Sequence, residues 1–569
     1  MAGVLEFTNA RCKNCYKCLR ECPVKAIEVV NHQAQIIEDK CILCGRCTLV
    51  CPQNAKKVHN DTDLIKEMLK GDTEVIASVA PSFASSFNIA DFGIMRAALK
   101  KVGFTDAQET AIGAKMVTEE YDRLLKEGKH RNLISTACPS IVRLVRLYYP
   151  EAVKYLAPVY SPMVAHAKLI KTLKPEAKVV FIGPCIAKKR EGADSIYVDG
   201  VLTFEELENI FRENDVDISK IKPLNTDLVK SDFNSARFYP INRGIIKSFG
   251  TKRDGYEYVS VDGVLKCREA LDGIHNLKGM FLELNACDFA CVNGPCSLCG
   301  QAGSAVKATA AIRNYVALDR QSEAAATAEM LPRIDITCEY PPAGNNDRPV
   351  SEREIKEILA RTGKTGPEDE LNCGACGYNT CREKAVAIAR GYADVDMCVP
   401  YMRERAESVS VEVIENSPNG IVVLDFDLRI LEINTAAKVI WGIKEKDVKG
   451  QYAFDYFDPT DFFRAVNESR TVMRKKVEVP VTGKFVELTV KVLKEHKMLF
   501  GVMKDITESV RVGEELSKVK MKTLEITDDV IKKQMMVAQE IASLLGETTA
   551  ETKIALLKLK KTLEEEKDN

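Results

Sequence analysis

Histidine and tryptophan are scarce in this chain of 569 residues: it has six His and one Trp, and no His lies within a cysteine cluster. Imidazole-based metal sites are therefore not its theme. Neither sign of charge is in excess, since 81 Lys and Arg face 82 Asp and Glu. That balance gives no support for a nucleic-acid partner, which would usually show a basic face. No uninterrupted apolar run reaches the ~18 residues needed to span a bilayer. Residues Met1 to Arg20 lack an apolar core followed by a small-residue cleavage site, so no signal peptide is expected and the protein is placed in the cytoplasm.

What is present in quantity is cysteine, twenty residues, most at short spacings. Thiols in a reducing compartment cluster for metal rather than for disulfides. Thiolates without imidazole favour iron-sulfur clusters, with four-thiolate zinc as the alternative. A length prior of ~150 residues per domain suggests about four units.

Composition and pattern divide the chain into a cysteine-rich segment (1–58), an α/β segment (59–340), a small cysteine-rich unit (341–405), an α+β sheet domain (408–510) and a helical tail (511–569). In the α/β segment, apolar runs such as Glu74 to Ala80 and Lys178 to Gly183 alternate with helical stretches. Each run ends at a Pro beside a Ser or Cys, where ligands of α/β sheets sit. Pro341 to Pro349 reads as a polar linker. The tail carries Leu, Met, Lys and Glu at helical spacing, read as two helices broken near Gly546 to Thr549. It serves either a partner or its own domain.

The first constellation is Cys12-x2-Cys15-x2-Cys18-x3-Cys22-Pro23, repeated as Cys41-x2-Cys44-x2-Cys47-x3-Cys51-Pro52. This is the spacing of bacterial two-cluster ferredoxins, in which the fourth Cys of each run ligates the other cluster. One 4Fe–4S cluster then takes Cys12, Cys15, Cys18 and Cys51; the other takes Cys41, Cys44, Cys47 and Cys22. A later set is Cys373-x2-Cys376-x4-Cys381 closed by Cys398, with glycines that let the backbone wrap a cubane. Its setting resembles the small 4Fe–4S domain of corrinoid iron-sulfur proteins.

Four separated segments make the remaining constellation: Val79-Ala-Pro81-Ser82, Ser135-Thr-Ala137-Cys138-Pro139, Ile182-Gly-Pro-Cys185-Ile-Ala-Lys188 and Leu284-Asn-Ala-Cys287-Asp-Phe-Ala-Cys291. In this order, behind a two-cluster ferredoxin, they resemble the H-cluster domain of FeFe hydrogenases. The resemblance covers residues 1–340. It implies that Cys138, Cys185, Cys287 and Cys291 hold a fourth 4Fe–4S cubane. Cys291 would bridge to a diiron subcluster with CO, CN and dithiolate ligands. Ser82 and the backbone near Pro81 would face one cyanide and the Lys188 ammonium the other, because a buried anion needs such donors.

The chain departs from that family at several points. Ala137 stands where the family has a proton-transferring Cys, and losing a positioned acid–base group costs about 10²–10⁴ in rate. Gly183 and Asn285 replace two Met, which removes soft thioether contacts. Glu119, Glu120 or Cys296 are the candidate substitutes for the lost relay. Cys267 and Cys338 read as packed small hydrophobes. Cys296 and Cys299 form a CxxC, either a redox pair or core thiols.

Glu415 to Asp425 and Leu431 to Ala437, with Asn434 at a strand-to-helix turn, resemble the opening of a PAS domain. Asp505-Ile-Thr507 fits its last strand leading into a signalling helix, and Trp441 reads as core. The combined resemblance implies a sensory FeFe hydrogenase. It would bind H2, with CO as a further ligand, or slowly interconvert H2 with protons. A ferredoxin would be the redox partner, a separate signalling protein the output, and a homodimer would form through the PAS domain and tail. The alternatives are a slow ferredoxin-linked catabolic hydrogenase and an iron-sulfur scaffold without the diiron site.

Overall fold

The two amino-terminal cysteine runs adopt one backbone twice. In the computed structural model, which describes residues 3–7, 11–224, 233–298, 304–319, 332–345, 347–445, 447–468, 472–545 and 549–565, Asn14 and Leu43 each lie two residues after the first Cys of their run and have φ of 51° and 56°. Tyr16 and Gly45, each one residue after the second Cys, have φ of 54° and 75° and open the helices Lys17–Glu21 and Arg46–Leu49. Left-handed residues at alternate positions curl each run around a centre. The Ala26 and Ala55 amides, each four residues beyond a fourth Cys, donate to Cys22 Sγ (3.3 Å) and Cys51 Sγ (3.4 Å). Two antiparallel pairs close the ends, Leu5–Phe7 on Lys56–Val58 and Ile27–Val30 on Gln33–Ile36.

The strand and helix alternation that follows resolves into two parallel sheets. One runs in the order Asp106–Glu109, Val75–Val79, Lys178–Gly183, Gly200–Thr203. The other runs Glu257–Asp262, Met280–Asn285, Asn132–Ile134. Val75–Val79 is buried at every residue, as a strand covered on both faces should be.

Between Val75–Val79 and the helix Pro162–Leu173 lies a wholly buried His166. Its Nδ1 is 2.8 Å from Ser78 Oγ and its Nε2 is 3.2 Å from the Gln108 carbonyl. With that carbonyl accepting, Nε2 carries the proton and Nδ1 accepts from Ser78. Burial lowers its pKa to about 3. A depressed imidazole contributes stability that is complete above the unfolded value of 6.5 and is lost as pH falls towards 3. At pH 5 this loss should amount to about 2 kcal/mol. Thermal unfolding at pH 7.5 and 5 should therefore show a smaller acid-induced drop in Tm for His166→Gln than for the parent.

The segment Pro341 to Pro349 is irregular but pinned. The Ala343 and Gly344 amides each donate to the Arg146 carbonyl at 3.0 Å. Asp347 pairs with Lys40 and, at 2.9 Å, with Arg390. Beyond it, Ser351 and Glu354 form a capping box on the helix Glu352–Arg361, and Thr380 caps the helix Cys381–Ala389. Met1–Tyr401 form one compact unit and Met402–Asn569 a second.

The second unit holds a five-stranded antiparallel sheet in the order Ile430–Ile433, Gly420–Asp425, Met498–Asp505, Lys484–Leu493, Val472–Val479. Gly420–Asp425 alternates buried and half-buried residues, the period-2 pattern of a sheet with one core face. Trp441 stacks flat on Phe457, with centroids 3.6 Å apart, at the edge of that core. The helices Thr507–Leu545 and Thr549–Glu565 follow, joined by an ion pair between Asp528 and Lys560 of 2.8 Å. The expected break at 546–548 lies outside the described residues. No helix among the described residues is long and apolar enough to cross a membrane.

Asn434 is completely buried and fully used. Its Oδ1 accepts from the Ile421 and Ala437 amides (2.8 and 2.9 Å). Its Nδ2 donates to the Ile414 and Asn419 carbonyls (2.8 and 2.9 Å). Four bonds exhaust the amide's capacity. Asn434→Ala leaves those four backbone groups without it and should cost about 3 kcal/mol, read as a lower urea midpoint of the PAS-like sheet.

Candidate functional site

Four parallel strands, two from each sheet, deliver the site residues from their carboxyl ends. Ser82 follows Val75–Val79, Cys185 follows Lys178–Gly183, Cys138 follows Asn132–Ile134, and Cys287 follows Met280–Asn285. The crevice beyond strand ends is where open α/β sheets bind ligands. Cys138 immediately precedes the helix Pro139–Tyr148, with Pro in its first turn. Lys188 lies in the first turn of Ala187–Ala193. Phe289 and Ala290, at φ of 64° and 59°, bend the chain between Cys287 and Cys291.

The four thiols come together. Burial first, then the mutual repulsion of Cys138, Cys185 and Cys291, pushes Cys287 well above its usual range. Burial with Cys185 and Cys138 does the same to Cys291. Cys185 is raised to about 11 by burial and by Cys138. Lys188 opposes the rise at Cys138, Cys185 and Cys291, so its positive charge lies near the group. Lys188 Nζ also donates to Ser161 Oγ (2.9 Å) and Glu191 Oε2 (2.6 Å).

The donor set fits an anionic cofactor. Ser82 Oγ and Ser135 Oγ are buried without a hydrogen-bond partner, which costs about 1–3 kcal/mol each unless something else accepts the proton. Both stand at the ends of strands whose sheets deliver the thiols, Ser135 three residues before Cys138, so the orphan hydroxyls suit a polar ligand there. A Cβ on Gly183 would lie 2.8 Å from the Phe181 ring. The space where the family carries Met is thus closed by an aromatic edge.

The proposed relay substitutes differ in placement: the Cys296 amide donates to the Pro184 carbonyl (3.1 Å), next to Cys185, whereas the two glutamates are held in ion pairs along another helix. Glu119 pairs with Lys115 (3.8 Å) and Glu120 with Arg123, on the outer face of the helix Ala111–Glu127. Cys296 is buried, raised by burial and by Glu205, with Cys185 a further neighbour. Cys299 lies outside the described residues. Cys267 is a core thiol that donates to the Val261 and Asn285 carbonyls (3.4 Å each). Cys338 is half-buried.

Two of the other sets assemble as well. Cys22, Cys41, Cys44 and Cys47 line one small hollow. Cys44 is raised to about 12 by burial, with Cys22 and Cys41 adding. Cys373, Cys376, Cys381 and Cys398 line another. Among the described residues no three His, Cys, Asp or Glu converge closely enough to share one ion, and the described cysteines are free thiols. Cys44 adds to the upward push on Cys287. Gly45 meets Pro295 and Ile186 so closely that a Cβ would lie 2.7 Å from Pro295. The second ferredoxin-like set therefore abuts the strand-end site.

Reasoning from sequence missed several groups. Lys56 Nζ donates to Cys18 Sγ (3.4 Å) and Lys364 Nζ to Cys398 Sγ (3.5 Å). Such donors to cluster sulfur tune a cluster's potential. Glu283 accepts from the Gly244 and Ile246 amides (3.1 and 2.9 Å), and burial raises it to about 7. No spacing marks these residues, because their partners are remote in sequence; only the Glu283 charge within an apolar strand was a local signal.

Comparison with known proteins finds family matches along four stretches of the chain. Residues 73–295 match the C-terminal domain of the iron-only hydrogenase large subunit. Residues 11–55 match a 4Fe-4S dicluster domain, 369–400 an Fe-S cluster family, and 411–506 the PAS fold. The periplasmic Fe hydrogenase large subunit of Nitratidesulfovibrio vulgaris is 26% identical over 311 residues, 42% of this chain and 74% of that one. Iron hydrogenase 1 of Clostridium pasteurianum is 25% identical over 381 residues, 48% of this chain and 66% of that one. The solved apo FeFe hydrogenase HydA1 of Chlamydomonas reinhardtii aligns at 16% identity over 45% of this chain and 88% of its own, with a TM-score of 0.37. The chain thus joins iron-sulfur domains, a hydrogenase H-cluster domain and a PAS domain. Its α/β domain is homologous to FeFe hydrogenases.

One consequence is measurable without any cofactor. Ser82→Ala removes an unsatisfied buried hydroxyl and should stabilise the apoprotein by about 1 kcal/mol, seen as a raised Tm. Most buried polar-to-Ala changes lower it.

Proposed function

We propose that the chain is a sensory FeFe hydrogenase of the cytoplasm, which binds H2 or slowly interconverts it with protons and passes the redox state through iron-sulfur clusters to its PAS domain. The observation that carries this reading is the convergence of Cys138, Cys185, Cys287 and Cys291 beyond three strand ends, with Lys188 close by. Cys138, Cys185, Cys287 and Cys291 would hold a 4Fe–4S cubane, and Cys291 would link it to the diiron subcluster. Twelve further thiols would hold three more cubanes in the sets given above. The H-cluster, when bound, supplies the chemistry by which two protons and two electrons become H2.

The protein's own groups do the rest. The Lys188 ammonium, held by Ser161 and Glu191, presents a fixed positive charge to an anionic ligand. Ser82 Oγ has a proton to donate. Pro81 and the buried strand ends keep water from the crevice. Ala137 offers no acid, so proton delivery is slow. That suits a site whose ligation state is read rather than one that supplies reducing power. A ferredoxin exchanges electrons with the chain. The tail presents Val512, Leu516, Val519, Ile526 and Val530, all exposed, at coiled-coil spacing; this supports a homodimer and a downstream signalling protein on another chain.

Infrared spectroscopy of protein loaded with the diiron cofactor tests the reading. CO and CN bands that shift between argon and H2 are expected; their absence would sink it. Ala137→Cys should raise H2 turnover by about 10²-fold or more without moving the CN bands by the amount Lys188→Ala does.

A further inference from the structure

The small cysteine unit does not sit on the hydrogenase-like domain alone; it shares a core with the ferredoxin-like segment. Leu19, Ile27 and Val29 pack with Tyr378, Ala387 and Met397 in one buried cluster, and Cys12, Cys22 and Cys376 border it. Gly377 has φ of 97°, and a Cβ there would lie 2.8 Å from Leu19. Only glycine permits the Cys376 loop to come this near the helix Lys17–Glu21.

Polar bridges cross the same seam. Arg20 donates to the Cys15 carbonyl and to the Ala375 carbonyl, both at 3.0 Å. Lys25 Nζ donates to the Leu19, Arg20 and Gly377 carbonyls (3.1, 3.1 and 2.9 Å). The Val29 amide donates to Tyr392 O at 2.9 Å. Tyr378 lies in the same buried cluster, and Tyr16 packs against it with Cys12, Cys22 and Cys376.

We infer that the Cys373–Cys398 unit is a docked third member of the ferredoxin domain, and that Arg20, Lys25 and Gly377 are positioning residues holding its thiol set in electronic contact with the Cys12–Cys18 set. Resting on the cluster assignments proposed above, this orders the thiol sets. The strand-end site abuts Cys44, and the paired ferredoxin-like sets abut the Cys376 loop. Exchange along this order moves one electron at a time, oxidising one cluster as the next is reduced, with no bond or proton change. Electrons from the hydrogenase-like domain reach the Cys373 set through the ferredoxin segment, and Cys398 is the last thiol before the helix Val399–Glu415.

Electron paramagnetic resonance of the full chain tests this. The protein is reconstituted with iron and sulfide alone, without diiron, and reduced with dithionite. The wild-type spectrum should be broadened by spin coupling. Cys373→Ser with Cys376→Ser should lose the part of that broadening due to the Cys373 set, together with the iron of one cluster. Arg20→Gln should narrow the signal at unchanged iron content, and Arg20→Lys should restore part of it. A wild-type spectrum equal to that of the double variant plus an uncoupled signal would overturn the docking and leave the cluster assignments standing. Equal iron in the wild type and the double variant would remove the Cys373 cluster and the inference with it.

Discussion

Sulfur taken out of water is the constraint under which most of the first unit is built. A buried thiolate cannot be left as a bare charge. Burial is the first cause of the raised pKa at Cys22, Cys41, Cys44, Cys47, Cys138, Cys185, Cys287 and Cys291. Everything around the sets works against that penalty. Backbone amides aim at Cys22, Cys41 and Cys51, lysines reach Cys18 and Cys398, and Lys188 lies near the strand-end group. Positive metal completes the compensation. The left-handed residues in each run and the close approaches at Gly45 and Gly377 are the backbone's share of the same task.

The α/β domain solves a geometric problem rather than an electrostatic one. Cysteines far apart in sequence meet because parallel strands end on one side, and each strand hands its site residue to the turn that follows. This is why Cys138 and Cys287 can be neighbours across 149 positions of chain. The pairing of Leu282 with Ile134 sets their register.

Much of this was legible in the sequence, and for a physical reason. Cluster ligands close in the chain must keep a fixed spacing, so the ferredoxin-like runs and the Cys373 set announce themselves. Asn434 was legible because a strand-to-helix turn favours a side chain that can cap. Lys56, Lys364 and the Phe181 ring beside Gly183 were not, since each acts on a residue through space. The segment Pro341 to Pro349 has the composition of a linker, yet Asp347 pins it to Lys40 and Arg390; composition reports the lack of regular structure, not the lack of attachment. Glu119 and Glu120 show the converse: acids close to the right region in sequence, but turned to the opposite face of their helix.

The core shared by the ferredoxin-like segment and the small cysteine unit is thin, and the residues at its border include the thiols of Cys12, Cys22, Cys47 and Cys376. Because Cys22 belongs with Cys41, Cys44 and Cys47, neither run can be completed without the other. Iron supply is therefore a condition of assembly for the amino-terminal segment. A chain made without iron would present that segment to proteases more readily than a loaded one.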